Sequence, residues 1–318
     1  MRQDFLAPGR APQAGGRGAR ERLLAGLPVV EHRIDLAGVS TAVLVGGEGP
    51  PLVLLHGPGE HALKWARVIP ALVREHRVIA PDLPGHGSSA SDGRGMSAEE
   101  ALQWLGELLD ATCPVRPVLL GQITGGAMAA RLAAGGGHRL AHLVLVDSLG
   151  LAPFNPTPEF GQAIGAFLAE PGELTFDRLW RRCAFDLERL RATMGEQWEA
   201  YATYSLERGR TPEVRGAVHR LMEQFGFPAI PAEVLARIEV PTALIWGRHD
   251  LATSLSVAEE ASRRYRWPLW VVEDAADDPA FEQPARFVET LRAVVSRSAV
   301  SQAPRTIEEG GKDGVLTA

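Results

Sequence analysis

Cysteine is nearly absent. Cys113 and Cys183 are the only two in 318 residues. They stand far apart, with no C-x-x-C and no histidine at metal-ligand spacing. That excludes a disulfide framework and a cysteine-built metal centre, and leaves two buried or half-buried thiols. No metal and no cofactor is expected. Long apolar runs are missing too: none approaches the roughly 20 residues that span a bilayer. The first stretch, MRQDFLAPGRAPQAGGRGARER, has arginines but no apolar core of the kind a secretory signal needs. Excess positive charge is also lacking. With 33 basic against 39 acidic residues the net charge is −6, and helix-turn-helix and RNA-binding signatures are missing, so nucleic acid is not an expected partner. There are no internal repeats. These absences lead to an expected cytoplasmic protein with no membrane partner. Oligomeric state stays open.

What is present begins with residues 117–134, PVLLGQITGGAMAARLAA. Val118-Leu119-Leu120 reads as a buried strand. It runs into Gly121-Gln122-Ile123-Thr124-Gly125-Gly126 and then into good helix formers. The glycines allow a sharp strand-to-helix turn with close packing on both sides. Ile123 stands at its centre, and an isoleucine side chain has no lone pair and no proton to lose.

Around this turn, strands and helices alternate. Residues 29–36 and 39–47 read as a hairpin about Ala37-Gly38, and 51–56 as a buried strand. Residues 62–75 read as a helix and 77–83 as a strand. A capping box, Ser97 to Glu100, opens a helix over 98–110. Strand 142–147 follows. Residues 151–235 are helical by pattern, and alternation resumes with 242–246, 256–265, 269–273 and 279–295. The order implies a mostly parallel sheet covered by helices on both faces, with a helical block inserted over the strand ends where ligands of such sheets sit. The expected organisation is a disordered tail over 1–27, a core over 28–150 and 236–295, a helical lid over 151–235, and a second disordered tail over 296–318.

HGPG at 56–59, DLPGHGSS at 82–89, GQITGG at 121–126, LVLVDS at 143–148, WGRHD at 246–250 and DAADDP at 274–279 resemble, in order and spacing, the motifs of the α/β-hydrolase superfamily. The resemblance covers everything between the tails. It implies that fold, with a lid. It also implies that Ile123 occupies the nucleophile's place in the G-x-S-x-G elbow, that Asp250 matches the triad acid, and that Asp277 stands where the histidine belongs. Two of three triad positions are therefore replaced.

The remaining site candidates follow from the same loops. The residue after the elbow, Thr124, and the loop about Pro58 would hold the oxyanion donors. Pro58 has no N–H, so a second donor would come from Gly57, Gly59 or Glu60. Glu60 and His61 sit at the loop's mouth, as a pocket acid and base or as a helix-start glutamate and an exposed histidine. Gln122 flanks the elbow. His56 and His86 read as structural, and so does Asp147. Phe154, Phe160, Phe167, Trp180, Trp198 and Tyr201 are expected on the lid's inner face. Two readings of Asp277 stand side by side: it lies close to Asp250 and the two titrate as a pair with one pKa raised well above about 3.9, or it turns outward to solvent or caps the helix beginning near Pro279.

Three functions compete. The first is a non-hydrolytic enzyme doing proton-transfer chemistry of lyase, isomerase, epimerase or cyclase type on a small-molecule or peptide-like substrate. In the superfamily that it resembles, hydroxynitrile lyases and cofactor-free dioxygenases work without a covalent intermediate but keep the histidine, while peptide epimerases lack both residues and resemble this chain only in what is missing. The second is a catalytically silent pseudo-hydrolase that binds an apolar small molecule. The third is an ester or amide hydrolase with a non-standard nucleophile.

Overall fold

A computed structural model describes residues 7–8, 18–90 and 95–301. Nine strands form one sheet: β1 (Ala7–Pro8), β2 (Val30–Leu36), β3 (Val39–Gly46), β4 (Pro51–Leu55), β5 (Arg77–Pro81), β6 (Val118–Gln122), β7 (His142–Val146), β8 (Thr242–Gly247) and β9 (Leu269–Val272). Their spatial order is β1-β2-β3-β5-β4-β6-β7-β8-β9. Strands β4 to β9 are mutually parallel, and β1 to β3 add an antiparallel edge. The hairpin forms as expected, with Leu36 opposite Val39 across Ala37 and Gly38. Both turn residues take positive φ, 46° and 78°, which matches the twist of the flanking strands.

Strand β4 shows why the centre of the sheet is apolar throughout. All five of its residues are buried. Leu52 and Leu54 feed one core, with Trp65 and Phe287, while Val53 and Leu55 feed the other, with Trp104 and Trp246. The chain leaves β4 for β5 on one side and returns to β6 on the other. That reversal opens a crevice beyond the carboxyl ends of β4 and β6.

Six α-helices lie between Pro158 and Leu235: Pro158–Ala169, Glu173–Cys183, Leu187–Met194, Glu196–Gly209, Pro212–Leu221 and Ala232–Leu235, and the first, second, fourth and fifth of them line the space over the crevice. Two expected helices are broken. Residues 62–75 form a tight 3-10 turn, Ala62–Arg67, then a short helix, Ile69–Leu72, with Pro70 at its start. Residues 279–295 split at Gln283, where Pro284 begins a new helix that runs to Ser301.

Both expected tails are corrected at their inner ends. Ala19–Leu24 is a helix, not a disordered lead-in: Ala19 and Leu23 are buried, and it packs on the Glu196–Gly209 helix. Its Arg20 donates to Glu31 at 2.8 Å and to the Tyr204 hydroxyl at 3.0 Å, and pairs with buried Asp82 at 2.9 Å. The last helix likewise passes the expected boundary at 296. The rest of the two tail readings, over 1–6, 9–17 and 302–318, lies outside the described residues. Among the described residues, no helix is long and apolar enough to cross a membrane.

Candidate active site

The elbow exists in backbone form. Ile123 joins β6 to the helix Thr124–Gly136 at φ 51°, ψ −113°. For a β-branched residue that conformation is strained, at about 1–3 kcal/mol, and persists only when the surroundings enforce it. Here they do. The Ile123 N–H donates to the Val146 carbonyl at 3.1 Å, and its own carbonyl accepts from Ala127 at 3.2 Å and Leu149 at 3.1 Å. Any Cβ on Gly121 would lie 2.3 Å from the Gly125 oxygen, and one on Gly125 would lie 2.6 Å from the His56 oxygen. The turn thus presents its central side chain to the crevice, and what it presents is hydrocarbon.

Above the elbow is a cavity of about 260 Å³. Ile123, Phe154, Phe160, Phe167, Trp180 and Tyr201 line it, as expected. Trp198 does not: it is buried one layer back, edge-on to Trp180 at 5.1 Å. It is expected on the inner face as an aromatic of the helical block, but the ring is consumed by packing within that block. Phe176 and Cys183, neither of them assigned to the pocket from the sequence, also line the wall.

The floor is acidic. Glu60, Asp277 and Asp278 face the cavity. Wholly buried Lys64 ties two of them together, at 2.9 Å from Glu60 and 3.3 Å from Asp278. Its third bond goes to the Gln122 side-chain oxygen. Gln122 in turn donates to the Asp277 carbonyl at 2.7 Å. Gln122 is therefore the tie between the elbow strand and the Asp277–Asp278 turn, and does not itself line the cavity. Lys64 was not singled out in the sequence, although its position four residues after Glu60 is ion-pair spacing on a helix.

Asp250 follows β8. Its Oδ1 accepts from the Ala252 N–H at 2.7 Å and the Thr253 N–H at 2.8 Å, while its buried Oδ2 has no partner. Burial pushes its pKa up to about 7, against the pull of those two bonds. Asp277 is raised well above the ordinary carboxylate range, by burial first and then by the charges of Asp250 and Asp278, with Lys64 opposing. The charge of Asp250 thus acts on Asp277. A third acid joins them. Asp147, at φ 42°, accepts from the Gly247 N–H at 2.8 Å. It too is raised, by burial and then by Asp250. Its position at the end of β7 read as merely structural.

The oxyanion side differs from expectation. The Gly57 N–H is taken by Glu60 Oε2 at 2.7 Å. Pro58 has no N–H, which leaves Gly59 and Glu60 as the loop's free donors. Thr124 is fully buried with an unpartnered hydroxyl and does not line the cavity. His61 is no exposed histidine. It is fully buried, with Tyr204 at 4.6 Å and Tyr201 at 5.2 Å between ring centres, and burial pushes its pKa down to about 3. It is neutral packing, not the pocket's base. His56 accepts from the Leu83 N–H at 2.9 Å and lies 2.7 Å from the Gly57 oxygen, which is the structural role read for it. Among the described residues, no group of His, Cys, Asp and Glu is arranged to hold a metal ion.

Residues 50–284 match a family profile described as alpha/beta hydrolase fold. The pimeloyl-[acyl-carrier protein] methyl ester esterase of Aeromonas hydrophila is 30% identical over 280 residues, covering 81% of this chain and all of that one. Among solved structures, a 2-hydroxy-6-oxo-6-phenylhexa-2,4-dienoate hydrolase from a Rhodococcus species has a TM-score of 0.73 at 25% identity, covering 84% of this chain and 99% of that one. A meta-cleavage product hydrolase from Pseudomonas fluorescens gives 0.72 at 24% identity, over 84% and 97%.

Proposed function

The chain belongs to the alpha/beta hydrolase fold family, and from the residues that replace the nucleophile and the histidine in its site, not from that membership, we propose that it is a non-hydrolytic enzyme that moves a proton on a small-molecule or peptide-like carbonyl compound. Its relatives are esterases and hydrolases by name. What differs is the group that meets the substrate. One observation carries the reading: the Asp277 carboxyl lies in the floor of an apolar cavity that Ile123 also lines, with the charge of Asp250 acting on it. A carboxyl group whose pKa is raised by burial and a like charge is a competent general acid or base. Ile123 removes the covalent route, since the elbow presents no atom able to attack. Asp277 is assigned the proton transfer. Asp250 tunes it, and Gln122 with Lys64 fixes the turn that carries it. The helical block over 151–235 acts as the lid. Lyase, isomerase, epimerase and cyclase reactions all fit this arrangement.

The test is isotope exchange. Carbonyl compounds that raise the melting temperature are incubated with the protein in D2O, and loss of the proton next to the carbonyl is followed by NMR. The expected result is exchange above background that Asp277→Asn abolishes while binding persists. Binding without exchange or any other change in the ligand sinks the proposal in favour of a silent binding protein. One observation favours that second reading: the Gly57 N–H is already occupied by Glu60, so the site is poorly equipped to stabilise an oxyanion. Ester turnover dependent on Asp277 would point instead to base-activated water.

A further inference from the structure

The charge of the cavity floor says what kind of ligand it accepts. Three carboxyl groups, Glu60, Asp277 and Asp278, reach the cavity, and no lysine, arginine or histidine lines it among the described residues. Lys64 is the one cation bonded to this floor. All three of its donors are spent, on Glu60, Asp278 and Gln122. It has none left for an anionic ligand. Asp250 stands behind the floor, nine-tenths buried, with Oδ2 unpartnered. Its charge is the largest electrostatic influence on Asp277 and on Asp147 alike. The wall opposite is aromatic, with Trp180 and Tyr201 facing the same space.

We infer that the ligand carries a basic nitrogen, and that its ammonium seats against Asp277 and Asp278 while its apolar body lies among Phe160, Phe167, Phe176 and Trp180. An ammonium supplies the positive charge that this floor lacks and makes favourable contact with aromatic faces. A carboxylate or enolate in the same place would meet like charge and would find the Gly57 donor taken. The inference rests on the proposed function only for the location of the site. For a substrate of that kind, a positive nitrogen near a carbonyl also acidifies the C–H between them, which is the bond the proposed base would attack.

Binding then exchanges one cation for another. Asp277 faces Asp147, Asp250, Asp278 and Glu282, with Lys64 as the opposing charge and the Cys183 thiol as a further neighbour. Burial and these like charges favour the protonated form of this group before a ligand enters. The ammonium arrives already protonated, so the displaced proton leaves for solvent.

The experiment is calorimetry on the full chain with three probes that share one apolar body: 3-phenylpropylamine, 3-phenylpropanol and 3-phenylpropanoate. Titrations run in buffers of different ionisation heat, at about pH 5.5 and about pH 7.5. The amine is expected to bind roughly ten-fold or more tighter than the alcohol, and the carboxylate more weakly than either. Amine affinity is expected to rise with pH, with net proton release at the lower pH. Asp277→Asn is expected to bring amine and alcohol within about three-fold of each other. The inference is overturned if the alcohol or carboxylate binds as well as the amine, if the amine fails to bind in the millimolar range, or if no proton is released. The proton count uses the wild type alone, so it decides the matter even if the variant does not fold. Amine selectivity without isotope exchange would overturn the proposed function and leave this inference standing. Exchange on a neutral ketone without amine selectivity would do the reverse.

Discussion

Raising the pH above neutrality is expected to destabilise this protein, and the size of the effect follows from its buried acids. Asp250 rises from an ordinary 3.8 to about 7, Asp278 to about 6 and Glu282 from 4.5 to about 8. Asp147 and Asp277 are raised as well. A carboxyl whose folded pKa is raised holds a proton that the unfolded chain has lost. Its contribution is complete below the unfolded value and disappears as pH climbs through the folded one. At roughly 1.4 kcal/mol per proton per pH unit, Asp250 alone accounts for about 4 kcal/mol between those limits. Histidines work in the opposite sense. His56, His86 and His142 are pushed down to about 4, and His61 to about 3, by burial. They cost stability only as pH falls below about 6.5. Between about pH 4.5 and 6.5 the two sets nearly cancel. Above 6.5 the acids act alone.

Even two extra protons retained in the folded state give a loss of about 3 kcal/mol per pH unit just above neutrality. At about 2 °C per kcal/mol or a little more, the melting temperature should peak near pH 6 to 6.5 and fall by roughly 5–10 °C by pH 8.5. Stopping there keeps the thiols out of the window, since burial pushes Cys113 up to about 11 and raises Cys183 too. Differential scanning fluorimetry at constant ionic strength is sufficient. Asp250→Asn removes a proton that titrates at about 7, so its curve should fall less steeply and overtake the wild type at the alkaline end. A melting temperature that stays flat or rises from pH 6.5 to 8.5, or parallel curves for the two proteins, would refute the reasoning.

Three further outcomes are expected. Arg20→Met leaves Asp82 buried without its cation and should cost about 3–5 kcal/mol, read as a lowered urea midpoint at unchanged slope. Fluorophosphonate probes should leave the wild type unlabelled by intact mass spectrometry, and Ile123→Ser should not restore labelling, because no histidine stands at position 277 to activate the new hydroxyl. Gly125→Ala should lose at least about 1–3 kcal/mol in the same denaturation assay, because the new Cβ meets backbone oxygens of His56 and Leu55 at 2.6 and 2.8 Å, and backbone cannot step aside.

The parts of this molecule legible in the sequence are those set by short-range sterics. The Ala37-Gly38 turn, the Ser97–Glu100 capping box and the elbow glycines each specify their conformation within a few residues, and all three form. Burial is different, because it is decided by partners far along the chain. Nothing near His61 announces that Tyr201 and Tyr204 will enclose it. Trp198 has the apolar ring a pocket wall wants and still faces its own neighbours. Arg20 sits in a Gly- and Arg-rich lead-in, yet its guanidinium reaches Asp82 in the core. The acidic floor fell between these cases. Asp250 and Asp277 were visible through the motif register, whereas Asp147 and Lys64 became members only when β7 and the loop after β4 converged.

That convergence bears on why an acid is kept at 250 when the base at 277 is also an acid. Beside a histidine, such an aspartate orients the ring and stabilises the positive charge that develops on it. Beside Asp277 it does something else. Two buried carboxyls in one field cannot both ionise cheaply, so the pair must hold a proton or recruit a cation. The third acid, Asp147, adds to the same demand, and Lys64 is already committed to Glu60 and Asp278. With the Gly57 donor occupied as well, every change from the triad arrangement acts in one electrical direction. The pocket no longer offers the Gly57 N–H to an oxyanion. It holds a positive charge, either as the proton on its own acids or as the cation of whatever enters.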